Sequence, residues 1–216
     1  MPYGEGLFYM NYITDPKEIE KRSFEIISKN IDEMKFEKRE LMIVKRVIHA
    51  TADFDFAHII KISDGAIDAG LKALKEGCTI VTDTKMAEAG INKKALKSIG
   101  ASVKCYIDMP QVEELSKTYA ITRSMASMVI ASKDGRNKIF AIGNAPTALF
   151  KLCELVNSGE VMPYLIIGVP VGFVGAQEAK EEVKKLGVPY IITEGRKGGS
   201  TIAAAIVNAL LYMMGD

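Results

Sequence analysis

The chain has 216 residues, 48% hydrophobic and 25% charged, an ordinary globular composition that can build one sizeable core without disulfide or metal staples. A formal net charge of +1 offers no bulk field for nucleic acid or an anionic membrane, so neither is expected as a partner. Cys78, Cys105 and Cys153 lie far apart and form no C-x-x-C pair, which argues against a zinc site and suits reduced thiols in a cytoplasmic protein.

The opening MPYGEGLFYM has no basic segment followed by an apolar run, so no secretory leader is expected. Asp15-Pro16 predicts a helix start, with Asp as N-cap and Pro at the first helical position. That helix places Ile19, Ile26 and Ile27 on one face, with Ser23 in the same stripe. A second helix is predicted from about Glu37, with Leu41, Val44 and Ile48 at helical spacing. It carries His49 one position round from its apolar stripe, with Lys45 and Asp53 four residues to either side on the same face.

Beyond this point strands and helices alternate. Ser63 is expected to cap a helix ending at Gly77, and CTIVTD reads as a strand. Two short helices to Gly100, the strand SVKCYID and a helical stretch from Pro110 to Ala131 follow. KIFAIGNA, YLIIGVPVG and VPYIITEG are strands that each run into a helix, the last through the uncharged run Gly198 to Gly215, read as a buried helix and not a membrane span. The expected architecture is α/β: a single three-layer domain over residues 1–216, with a mostly parallel sheet preceded by N-terminal helices.

The last three strands end in glycine-rich turns, IGNAP, IGVPVGFVG and EGRKGGS, at what would be one carboxyl edge. Three helix N-termini with free N–H groups would suit a ligand with several carboxylates or phosphates, although tight βα turns need glycine in any case. The spacing of Gly168, Gly172 and Gly175 is not G-x-G-x-x-G, and there is no Walker lysine, so a nucleotide-dependent enzyme is disfavoured. With six arginines against 22 lysines, each arginine raises the question of anion recognition. Arg123 and Arg196 both precede or open helices, where a cation is poorly placed unless an anion joins it. Ser23 could bond back to a carbonyl one turn earlier or face a ligand. His49 could be a satisfied core histidine. With no second ligand or nucleophile at suitable spacing, its chemical alternative is a lone acid/base group, oriented by Asp53.

Seven blocks in order, SFEII, RVIHATADFDFA, DTKMAEAGI, TRSMAS, IGNAPTALF, GVPVGFVGA and GRKGGSTIAAAIVNAL, resemble the precorrin-8X / cobalt-precorrin-8 methylmutase family of cobalamin biosynthesis. The resemblance implies an isomerase that moves a methyl group from C-11 to C-12 of a corrinoid macrocycle, with His49 as the catalytic acid/base. It implies no cofactor, since any cobalt arrives inside the substrate, and the HATADFDF form points to the cobalt-containing branch. Ser23, Arg123, Asn144, Arg196 and Gly198 fall at substrate-binding positions, and Asn92 stands where some relatives would have Thr. The resemblance further implies a homodimer in the cytoplasm, with the pocket near the subunit junction. The alternatives are a corrinoid carrier without turnover and a nucleotide-dependent α/β enzyme.

Overall fold

The computed structural model describes residues 12–215; the leader reading of residues 1–10 lies outside them. Helix α1 (Pro16–Asn30) starts as its sequence dictates, with the Asp15 carboxylate accepting the Glu18 N–H at 2.8 Å. Helix α2 (Lys38–Thr51) opens with a capping box between Glu37 and Glu40 and buries Ile43, Val44, Val47 and Ile48. The stripe predicted on α1 is mostly outward. Ile27 is buried and Phe24 half-buried, while Ile19 and Ile26 are 44% and 51% exposed. The reason is geometric: Ile19, Ser23 and Ile26 share one flank, and Phe24 and Ile27 make the contact with the core.

A short helix α3 (Phe56–Ile59) leads into strand β1 (Ile60–Ile62). Then come α4 (Ala66–Lys75), β2 (Thr79–Thr82), α5 (Lys85–Gly90), α6 (Lys93–Ser98) and β3 (Ser102–Cys105). Ser63 does not cap α4: its hydroxyl accepts the Tyr190 N–H, and Gly65 occupies the cap position. The predicted helical stretch from Pro110 is two helices, α7 (Pro110–Tyr119) and α8 (Arg123–Ser132). They are separated where Ala120 takes a left-handed conformation, φ 50°, and Thr122 caps the second. The remainder matches the expected alternation: β4 (Asn137–Ile142), α9 (Pro146–Asn157), β5 (Leu165–Gly168), α10 (Ala176–Lys184), β6 (Tyr190–Thr193) and α11 (Ser200–Met213).

The six strands form one sheet in the order β1-β6-β5-β4-β2-β3. All neighbours are parallel except β1, a three-residue antiparallel strand on β6 that the sequence reading missed. Side chains alternate between two cores. Ile80, Ile139, Ala141, Leu165, Ile167 and Ile191 face the core shared with α2, α4 and α11. Val81, Phe140, Ile142, Ile166 and Ile192 face the other, with α8, α9 and α10. The α/β, three-layer, mostly parallel expectation is therefore met. Among the described residues no helix is long and apolar enough to cross a membrane; α11 is chiefly core.

Candidate active site

The chain order reverses direction between β2 and β4, and this switch point is where a doubly wound sheet usually opens a ligand crevice. Here the crevice is filled from within. Asp83, just past β2, is buried and accepts the N–H groups of Gly143 (2.9 Å), Asn144 (2.8 Å) and Ala145 (2.7 Å). Burial pushes its carboxyl up, while the three N–H donors pull the other way. The N–H groups expected to be free at the start of α9 are thus occupied by the protein's own anion, and Asn144 can meet a ligand only through its exposed side chain.

The three glycine turns do converge. A Cβ at Gly143 would lie 2.7 Å from the Cα of Ser200, and one at Gly198 would lie 2.2 Å from the carbonyl oxygen of Val169, so these backbones touch only because both residues are glycine. The Gly199 N–H donates to Val169 O at 2.9 Å, and the Gly172 N–H to Arg196 O at 3.1 Å. Arg196 is exposed, its guanidinium 5.8 Å from the Phe173 ring. Phe173 and Val174 are themselves 85% and 88% exposed. Thr84, capping α5, shares a 2.7 Å hydroxyl hydrogen bond with Ser200 at the start of α11.

His49 sits in the last turn of α2 with its imidazole exposed, so it is not a core histidine. The Phe24 ring stacks on it, centroids 5.2 Å apart and planes within 16°. Arg46, one turn earlier, lies over Phe24 (5.0 Å) and over Tyr212 of α11 (4.6 Å), and pairs with Glu20 at 3.1 Å. The side chains around His49 are therefore held between three helices. Asp53 is not its partner. The helix ends before it, at Ala52 with φ 53°, and the Asp53 carboxylate takes Lys197 Nζ at 2.6 Å. Lys197 also reaches Asp55 at 2.6 Å, and its hydrogen bond holds the Asp53 carboxyl below the ordinary range. This bridge ties the end of the histidine helix to the glycine turn after β6.

A groove of about 300 Å³ runs between α2, α5 and α11; Arg46 and Ala50 are its α2 walls, and His49 is not among its lining residues. Small residues open it, namely Ala50, Gly90, Ala204 and Ala205, with Arg46 and Tyr212 at its wall. Ser23 donates to Ile19 O at 2.8 Å, the back-bond anticipated for it, and keeps its lone pairs. Asn92 caps α6 through the Ala95 N–H at 3.0 Å. Its own N–H goes to Asn208 Oδ1 at 2.8 Å, so much of its hydrogen bonding is structural. Arg123 is exposed at the start of α8, joined to the first turn of α9 by Thr122 and Thr147 at 3.2 Å. It borders the glycine edge; no hydrogen bond or ion pair joins it to His49 or Ser23.

Two buried charged residues escaped the sequence reading: Asp83, and Lys180 on α10. Both had a signal. Asp83 is a lone carboxylate directly after the short strand TIVT, and Lys180 occupies the stripe of Ala176, Ala179 and Val183.

The family model described as Precorrin-8X methylmutase matches residues 18–213. A cobalt-precorrin-8 methylmutase from Salmonella typhimurium is 48% identical over 211 residues, 94% of this chain and 98% of that protein. One from Priestia megaterium is 45% identical over 90% of this chain and 87% of its own. The crystal structure of a precorrin-8X methylmutase from Thermus thermophilus superposes with a TM-score of 0.85 at 39% identity, covering 93% of this chain and 97% of that one. The sheet, the glycine-lined edge and the sequence therefore agree: the chain belongs to the precorrin-8X methylmutase family, isomerases of cobalamin biosynthesis.

Proposed function

We propose that this protein moves a methyl group from C-11 to C-12 of cobalt-precorrin-8 to give cobyrinate, with His49 as general acid and base. The observation that carries the role of His49 is its exposed imidazole, stacked on Phe24, with Arg46 one turn earlier on the same helix lining the groove. An isomerisation changes no atoms overall, so a proton lent to the macrocycle must be returned. A histidine that is both donor and acceptor suits that cycle without a cofactor, and cobalt, where present, belongs to the substrate. Protonating the ring system withdraws electron density next to the migrating methyl and eases its shift.

The macrocycle carries many carboxylates. Arg196 and Gly198 at the β6 turn, Arg123 and Asn144 at the α8–α9 edge, Ser23 next to the Phe24 that stacks on the histidine, and Asn92 at the cap of α6 are the residues assigned to its polar rim. The names of the relatives support the cobalt-containing form of the substrate. A groove of about 300 Å³ is at the lower limit for a small-molecule site and is too small to enclose a tetrapyrrole. The exposed flank of Ile19 and Ile26, with Met86 and Tyr212 at the groove, fits a cytoplasmic homodimer in which a second copy completes the site.

The test is to mix the protein with cobyrinic acid and pass it through gel filtration. One chromophore co-eluting per subunit, at the mass of a dimer, is the expected result. A colourless protein peak contradicts the assignment. A carrier without turnover would also bind the chromophore, so the role of His49 separates the two readings.

A further inference from the structure

Lys180 is completely buried, and no carboxylate meets it among the described residues. Its Nζ donates to two backbone carbonyls of the turn after β6, Gly195 O at 2.9 Å and Lys197 O at 2.8 Å. Burying an ammonium without a counter-ion is costly, and a hydrocarbon side chain would fill the same stripe of α10 at lower cost. Something outside the core must therefore profit from the charge.

The geometry of the peptide unit shows what it is. In a trans peptide the C=O and the following N–H point in opposite directions. Drawing Gly195 O and Lys197 O onto Lys180 turns the N–H groups of Arg196 and Gly198 away from the interior. Those are two of the residues assigned to substrate carboxylates. Two outward N–H groups beside an exposed guanidinium make an anion cradle. The same turn carries Lys197, whose bridge to Asp53 and Asp55 fixes the end of the histidine helix.

We infer that Lys180 is a positioning residue: its buried ammonium pulls the turn carbonyls inward, so that the Arg196 and Gly198 N–H groups and the Arg196 guanidinium meet a carboxylate of the corrinoid. The inference rests on the corrinoid reading of the site. The ionisable groups on the elements packed against α10 are engaged elsewhere or silent near neutrality. Glu194 is taken by Lys184 and Lys61, Lys151 by Glu154, Lys197 by Asp53 and Asp55, and Arg196 lies over Phe173. On α10 itself Glu181 pairs with Lys184 and Glu182 with Lys185. Burial holds the Cys153 thiol up at about 12. Burial lowers Lys180 to about 8. Above that pH the amine still has N–H donors but loses the charge that strengthens both bonds and attracts the ligand.

The experiment is a cobyrinic acid titration of the whole protein and of Lys180→Met, followed from about pH 7 to about pH 9. The wild type is expected to weaken several-fold across that range. The variant, still unfolding cooperatively, is expected to bind about tenfold more weakly at neutral pH and to show no alkaline limb. A variant that binds like the wild type, or that keeps the alkaline limb, overturns the inference. Should the methionine variant not fold, Lys180→Gln takes its place, and a wild-type affinity flat across the range overturns the inference by itself. A wild type that binds no cobyrinic acid at any pH removes the corrinoid reading, and this role with it.

Discussion

The turns after β4 and after β6 lie side by side at one sheet edge, look alike in sequence, and are held in opposite ways. The first is gripped through its N–H groups by an internal anion, Asp83. The second is gripped through its carbonyls by an internal cation, Lys180. An anion inside uses up the N–H groups a ligand could have taken; a cation inside leaves N–H groups for the outside. A glycine-rich turn ahead of a helix is therefore not an anion site by composition alone. The buried residue behind it decides whether the turn is open or already filled. In this molecule the switch-point turn is a strut through its N–H groups, and under the proposed function the β6 turn is the one whose N–H groups would meet the ligand.

The comparison breaks most completely at Asp83. Asp83→Ala would orphan three N–H groups, two of them on buried residues, and stability should fall by about 3 kcal/mol or more, read as a large drop in thermal midpoint. Asp83→Asn, which can accept with one side and must donate with the other, should lie between. A stable Asp83→Ala protein would show that the first turn does not need its anion. Gly198→Ala should cost less, about 1–3 kcal/mol, because Val169 and Pro170 must move away from the new Cβ. Its corrinoid affinity should fall more steeply than its stability, since it displaces the outward N–H group; unchanged affinity would separate the second turn from binding.

The smallest effect is expected from Lys197→Met. Its ion pairs with Asp53 and Asp55 are exposed, and such pairs contribute little at neutral pH. The sign still follows. The folded Asp53 carboxyl lies below its unfolded value, so its stabilising contribution is present above about pH 4 and is lost as the pH falls through the folded value. Acid unfolding of the variant should accordingly be less steep below about pH 4 than that of the wild type, with near-identical midpoints at neutral pH. An unchanged acid profile would release the histidine helix from its tie to the turn.

Much of this arrangement was legible in the residues. The cap at Asp15, the helical spacing of the second helix and the alternation of apolar strands with helices all act locally, so periodicity and capping find them. What was missed depends on long-range partners. Strand β1 is three residues with a lysine in the middle, too short for an alternating pattern, and exists because β6 pairs with it. Ser63 resembles a cap, yet its hydroxyl serves Tyr190, far along the chain. Asp53 stands at the right spacing for His49, but the left-handed Ala52 ends the helix first. Asp83 and Lys180 were visible as polar residues in apolar settings; which turn each one holds is information carried only by the fold.

The central claim is that His49 does the chemistry and does not merely help to hold the ring. The most direct measurement is turnover of cobalt-precorrin-8 by His49→Ala beside its affinity for cobyrinic acid, with folding checked by circular dichroism. The account predicts product affinity within a few-fold of the wild type and a turnover rate lower by about 10²–10⁴-fold, the usual contribution of a general acid/base. A folded variant that binds the corrinoid and rearranges it at the wild-type rate would contradict it.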